Sequence, residues 1–219
     1  MNCVVTAGPT FEPLDEVRRL TNFSTGRLGT ELANHLVSCG HHVTLLIGEQ
    51  ATYCGERRAQ RVEAFTTTAN LRERLESLSS ERTNAVFHAA AVSDFAFGKV
   101  WSRSASGDLK EMKSRKISTR GGTLVAELVA TPKIIAELRA WYPEAFLAGW
   151  KYEADGKRAD AIRAAERQMA ACLTDACVTN GPAYGEGFGL VRGPGFCAHL
   201  GGRDELFLAL EKMIYGKTA

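Results

Sequence analysis

The chain carries almost no net charge: 27 Lys and Arg stand against 25 Asp and Glu in 219 residues, leaving +2 and a pI near 8.2. A nucleic-acid module shows a marked basic excess, and a disordered chain couples high net charge to low hydrophobicity. A sequence that is 45% apolar and 24% charged is neither. No run of about 18 apolar residues exists, which excludes a membrane-spanning helix. The start, Met1-Asn2-Cys3-Val4-Val5-Thr6, lacks the basic segment and cleavage site of a secretory signal, so the expected location is cytoplasmic. Cysteine is sparse. Six residues (Cys3, Cys39, Cys54, Cys172, Cys177, Cys197) are too few for a disulfide scaffold and are expected to be reduced thiols. Cys172 and Cys177 lie close together, but His35, His41, His42, His88 and His199 are scattered and no second pair stands at zinc spacing, so no zinc site is expected. Internal repeats and low-complexity tracts are missing as well. A chain of this size buries roughly 70% of its unfolded surface, which suits one domain over residues 1–219.

What is present alternates. Val4 to Thr6 forms a buried strand running into Ala7-Gly8-Pro9-Thr10, and a helix pattern begins at Ser24-Thr25-Gly26 and ends at Cys39-Gly40. His42 to Ile47 is a continuous apolar strand of the parallel, doubly covered kind. Strands around Arg61–Phe65, Ala85–His88, Phe146–Trp150 and Ala176–Thr179 alternate with helices around Asn70–Leu78 and Lys157–Leu173. This predicts an α/β fold: a Rossmann-like, doubly wound, mainly parallel sheet with helices on both faces. The segment 96–122 does not fit. It is poor in aliphatics and rich in Lys, Arg, Ser and Gly, and reads either as a disordered loop or as a long basic arm or flap.

Three places can carry chemistry. In this fold the first strand-to-helix connection holds phosphate, because backbone N–H groups and the helix dipole converge there. A dinucleotide fingerprint directly after the strand is lacking; Gly8 is separated by about a dozen residues from Ser24, Gly26 and Gly29. An anion site therefore survives, with Glu12, Asp15, Arg18 and Asn22 of the insertion available to line a second pocket, unless the glycines only permit close helix–sheet packing. The second place is Ala89-Ala90-Ala91-Val92-Ser93-Asp94, whose small residues let a ligand approach the backbone and whose acid can bind a hydroxyl or metal ion or merely cap the next element. The third is Lys113-Ser114-Arg115-Lys116-Ile117-Ser118, either a solvated surface or cations for a triphosphate.

Thr6-Ala7-Gly8-Pro9-Thr10, Glu12-Pro13-Leu14-Asp15, Val17-Arg18 with Thr21-Asn22, Ser24-Thr25-Gly26, Ala90 to Asp94, Lys116-Ile117-Ser118 and Thr131-Pro132-Lys133-Ile134-Ile135 occur in that order. Together they resemble the phosphopantothenoylcysteine synthetase family of coenzyme A biosynthesis, over nearly the whole chain. The resemblance implies ligation of 4'-phosphopantothenate to L-cysteine through an acyl-nucleotidylate formed from CTP or ATP with Mg²⁺. The length resembles the stand-alone form with no preceding decarboxylase domain, so no flavin is expected. It further implies that Asn22 serves the reacting acyl group and that Lys116, on the flexible arm, contacts the triphosphate. Ala90, Ala91 and Asp94 would meet substrate and nucleotide, and Arg18 the pantothenate phosphate. Gly8, Ser24, Gly26 and Gly29 would form the nucleotide phosphate loop, with Gly149, Trp150, Lys151 and Asn180 also at the nucleotide. Metal ligands remain unassigned. A homodimer is expected.

Two helix positions that carry lysine in bacterial two-domain relatives are here Gln168 and Cys172, which removes two counter-charges for a triphosphate; Lys151 can offset part of that loss. Two other readings stay open: an NAD(P)-dependent Rossmann reductase, suggested by Glu49 after the second strand, and a non-catalytic nucleotide-binding homologue. The reductase lacks a Tyr-x-x-x-Lys pair. Charge is also unevenly spread: from Lys99 to Arg120 seven cations and two acids give +5, so the remainder carries −3 against the total of +2. A mobile basic lid facing a mildly acidic body is the distribution expected for closure over a triphosphate.

Overall fold

The computed structural model describes residues 1–118 and 122–216; the end of the predicted arm, 119–121, and Lys217 lie outside the described residues. The chain runs through β1 (Asn2–Ala7), a hairpin of β2 (Phe11–Pro13) and β3 (Arg19–Thr21), α1 (Arg27–Ser38), β4 (His42–Gly48), β5 (Arg61–Phe65), α2 (Thr68–Leu78) and β6 (Ala85–His88). A three-stranded excursion follows: β7 (Phe95–Arg103), β8 (Leu109–Glu111) and β9 (Thr123–Ala130). Then come α3 (Ile134–Trp141), β10 (Phe146–Tyr152), α4 (Arg158–Cys172), β11 (Ala176–Asn180), β12 (Phe188–Gly193), β13 (Phe196–Leu200) and α5 (Arg203–Gly216).

Eight strands form one sheet in the order β13-β12-β11-β10-β6-β1-β4-β5. Six are parallel, and β12 and β13 run antiparallel at one edge. The chain moves outward from β1 through β4 to β5 and returns to β6 on the other side of β1. The switch point, where ligands bind in such sheets, therefore lies between the carboxyl ends of β1 and β6. The doubly wound α/β fold read from the alternation is the fold observed.

Alternation along the central strands divides the core in two. Cys3, Val5, Ala7, Leu45 and Phe87 face α1 and α5, meeting Leu32, Leu36, Leu206 and Leu210. Val4, Leu46, Val86 and Leu147 face the other way onto Leu71, Leu75, Ile134 and Leu138 of α2 and α3. α1 starts close against the sheet because its third residue is Gly29, where a Cβ would lie 2.6 Å from Ala7 Cβ and 2.9 Å from Thr6 O. Close packing and the phosphate-loop reading of Gly29 are thus compatible.

Two expectations change. Of the two readings of 96–122, the structureless loop falls away among the described residues: β7 pairs with β9 from Phe95↔Ala130 to Arg103↔Thr123 and with β8 on its other edge. Most of β9 is exposed, so no buried face imposes the alternation that would have announced a strand. Glu12 does not line a pocket. It is buried, and its Oε1 accepts from Thr68 N at 2.9 Å, satisfying a donor at the start of α2.

Candidate active site at the switch point

The hairpin insertion leaves the sheet after Gly8 and returns to it at Gly26. Gly26 caps α1 with φ +80, and a Cβ there would lie 3.0 Å from both Ala51 Cβ and Ile47 Cδ1 and 3.3 Å from Gly8 Cα. The two glycine backbones therefore touch at the foot of the insertion, a left-handed position where a side chain has no room. α1 has no side-chain cap and no acid in its first turn, so its N-terminal dipole is left for an anion.

The run after β6 is tied to this foot. Ala91 N donates to Gly8 O (2.9 Å), and Ala91 O accepts from Thr10 N (3.1 Å) and Asn22 Nδ2 (3.0 Å). Ala90 N donates to Thr6 Oγ1 (3.0 Å) and Ser93 N to Thr10 Oγ1 (2.8 Å). Gly8, Asn22, Ala90 and Ala91 are thus brought together, and the buried hydroxyls of Thr6 and Thr10, present in the first motif without an assigned role, hold the run in shape. Asp94 is exposed and paired with Lys133 Nζ, while Thr131 secures its backbone through Thr131 N to Asp94 O (3.0 Å). Lys133 belongs to the Thr131-Pro132-Lys133 motif, and its contact with Asp94 spans 39 positions.

His88, beneath this run, lies 3.0 Å by its Nδ1 from Thr6 Oγ1. Burial pushes its imidazole down from 6.5 to about 4. Between those values the unfolded chain binds a proton that the folded chain refuses, so stability should fall as pH drops through that window, by about 3 kcal/mol in all. Urea unfolding from pH 7.5 to 4.5 should show this slope, and His88→Leu should lack it. Parallel slopes in the two proteins would contradict the assignment.

A cleft of about 880 Å³ opens beside the foot, lined by Thr25 just before α1, Arg27 at its start, Tyr152, Asn180, Gly181, Gly202 just before α5 and Arg203 at its start. Asn180 lies in it. Trp150 is not among the lining residues: it is half-buried against the core, with Nε1 enclosed and without a hydrogen-bond partner among the described residues. Tyr152, two residues on and largely exposed, is the β10 aromatic in the cleft. At Gly149 a Cβ would meet Ile135 Cδ1 at 2.5 Å and Gln168 Nε2 at 2.7 Å, so its bareness accommodates protein neighbours. Lys151 Nζ pairs with Glu153 at 3.3 Å. Gln168 Nε2 donates to Trp150 O (3.3 Å), and Cys172 is buried; both positions face inward. Burial pushes the Cys3 and Cys177 thiols up to about 12, and among the described residues no three His, Cys, Asp or Glu cluster to hold a metal. Nor does any described helix have the length and apolarity to cross a membrane.

The remaining expected residues lie on the insertion and arm. Arg18 donates through Nε (3.1 Å) and Nη2 to Asp15 Oδ2, and through Nη2 to Ile117 O (2.7 Å). Lys116 is exposed on the arm, next to buried Ile117.

The family described as DNA/pantothenate metabolism flavoprotein C-terminal domain matches residues 1–196. The coenzyme A biosynthesis bifunctional protein CoaBC of Thermococcus kodakarensis is 33% identical over 178 residues, 81% of this chain and 40% of that protein. Its Bacillus subtilis counterpart is 32% identical over 187 residues, 85% of this chain and 42% of that protein. The chain thus spans about two fifths of the length of these relatives. Among solved structures, the DNA/pantothenate metabolism flavoprotein from Streptococcus pneumoniae superposes with a TM-score of 0.84 at 24% identity, covering 99% of both chains. A Cab2 variant in complex with phosphopantothenate-cysteine gives 0.73 at 19% identity, over 99% of this chain and 88% of that one. With the family matching all but the last 23 of its residues, the chain belongs to the DNA/pantothenate metabolism flavoprotein C-terminal domain family.

Proposed function

We propose that the chain is a phosphopantothenate-cysteine ligase of coenzyme A biosynthesis, acting as one synthetase domain with a basic arm. The observation that carries this reading is the convergence of Asn22, the Gly8 and Ala91 backbone and the uncapped start of α1 at the switch point. Membership of the family and the likeness to the CoaBC proteins support the pathway.

The 4'-phosphopantothenate carboxylate attacks the α-phosphorus of CTP or ATP, the bond to pyrophosphate breaks, and an acyl-nucleotidylate forms. The cysteine amine then attacks the acyl carbon, loses its proton, and expels the nucleoside monophosphate. Both steps are redox-neutral, so no flavin is required. The dipole of α1 and the Lys116 ammonium offset charge on the triphosphate. An amide carries two N–H groups. One of those on Asn22 holds Ala91 O, which orients the side chain and leaves the second for the oxyanion of the tetrahedral intermediate. Arg18 uses Nε and Nη2 within the protein, which leaves its Nη1 donors for the pantothenate phosphate. Mg²⁺ would come with the nucleotide and needs only one or two protein carboxylates; exposed Asp94, whose carboxylate pairs with Lys133, would supply one.

The protein acts as a homodimer in this reading. Phe23, beside Asn22, is fully exposed, and Val17 and Leu20 on the hairpin and Leu109, Leu128 and Val129 on the arm leave apolar surface for a second copy to cover. Light scattering at micromolar concentration should give twice the chain mass; a monomer would contradict it. Pyrophosphate release that requires both 4'-phosphopantothenate and a nucleoside triphosphate, assayed with CTP and ATP in parallel, tests the ligase reading. Absence of release with either nucleotide at high enzyme concentration would refute it.

A further inference from the structure

Asp15 occupies the turn between β2 and β3, and its carboxylate is enclosed although the turn is at the surface: the side chain is 1% exposed. Oδ1 accepts from Val17 N (3.0 Å) and Arg18 N (2.8 Å), the ordinary contacts of an Asx turn. Oδ2 does something a turn does not need. It accepts from Arg18 Nε and Nη2 and from Ile117 N (3.1 Å), a residue 102 positions away on the arm.

Arg18 Nη2 also donates to Ile117 O (2.7 Å), so both backbone groups of Ile117 are held by the Asp15–Arg18 pair. Ile117 is 4% exposed within a stretch, 113–118, whose other side chains are exposed. A second fastening lies two residues back: Glu16 N donates to Arg115 O (3.0 Å), and Arg115 Nε donates to Glu16 Oε1 (2.5 Å). Lys116 sits between the two fastenings, its backbone fixed on either side and its side chain exposed.

We propose that Asp15 is a positioning residue that aims Arg18 and seats the Lys116 segment on the hairpin at once, so that one buried carboxylate sets the contacts to both phosphate-bearing substrates. The substrate assignments rest on the ligase reading above; the fastening itself does not. Arg18 and the backbone donors hold the Asp15 carboxyl well below the usual carboxylate range, so the anion persists throughout the working pH range. Loss of that charge releases Arg18 and Ile117 together. Asp15 and Lys116 should therefore be non-additive for the nucleotide and independent of each other for 4'-phosphopantothenate.

Asp15→Asn keeps the shape and one acceptor oxygen but turns an NH₂ toward Arg18 and the Ile117 N–H. Hydrogen exchange on the full chain should be at least about tenfold faster over 113–118 in this variant, with β1 and β6 still protected. In steady-state kinetics, KM for 4'-phosphopantothenate and for the nucleotide should each rise by about tenfold. On a Lys116→Ala background, Asp15→Asn should raise only the KM for 4'-phosphopantothenate. If Asp15→Asn fails to fold, Arg18→Lys serves instead: it keeps the cation beside Asp15 but loses the Nη2 reach to Ile117 O, and should speed exchange over the same stretch. Unchanged exchange at 113–118, or a nucleotide KM that rises equally with and without Lys116, would overturn the proposal. Exchange needs no turnover, so an inactive wild-type enzyme would count against the ligase reading while the exchange comparison still decides the role of Asp15.

Discussion

Asn22→Ala should lower kcat for the complete reaction by about 10²–10³-fold, the cost of about 3–4 kcal/mol that follows removal of one preorganised donor to an oxyanion. The amide is neutral and is held by a single 3.0 Å bond to Ala91 O, so truncation removes a donor without leaving a charge stranded. The loss should fall on the second half-reaction. Carboxylate attack on the α-phosphorus creates no tetrahedral carbon, so pyrophosphate exchange into the nucleotide should continue and the acyl-nucleotidylate should accumulate. Rapid quench followed by mass spectrometry reads this directly. Exchange lost in parallel with overall turnover would move Asn22 to the first step.

Lys116→Ala should have the complementary signature: a loss of about 10²–10³-fold that appears already in pyrophosphate exchange, with no accumulated intermediate. The arm carries a net +5 between Lys99 and Arg120, but two of its cations are committed among the described residues. Arg115 pairs with Glu16, and Lys113 lies 3.7 Å from Glu111. Lys116 has no ion-pair partner among the described residues, which leaves its charge for the triphosphate. Gln168 and Cys172 face the sheet, so in the ligase reading counter-charge comes from the arm and the start of α1 rather than from α4. Lys116→Arg should recover part of the exchange rate, since charge rather than a forked donor is required. Full activity in Lys116→Ala would remove the arm from the first half-reaction.

How much of this was legible before the fold was known follows from what each segment buries. Strands covered on both faces, such as His42 to Gly48 and Ala85 to His88, read as continuous apolar runs, and the alternation with helices gave the sheet order its logic. β2 and β3 have three residues each, and β3 is wholly exposed, so no pattern marks them. The arm hides its strands for the same reason. The convergence at the candidate site was readable where a motif brackets a strand end, as with Gly8, Asn22, Ala90 and Ala91. It was not readable where function depends on contacts between loops. The Asp15–Ile117 bond and the Asp94–Lys133 pair join residues 102 and 39 positions apart, and no local periodicity encodes either. At β10 the motif pointed to Trp150, yet the core claims that ring and Tyr152 occupies the cleft.

The ligase reading is tested most directly by following an oxygen atom. With heavy oxygen in the carboxylate of 4'-phosphopantothenate, and cysteine and CTP or ATP supplied, the account predicts an amide product and one labelled oxygen in the nucleoside monophosphate, because that carboxylate oxygen attacked the α-phosphorus. Unlabelled monophosphate, label in inorganic phosphate, or no amide at all would contradict it.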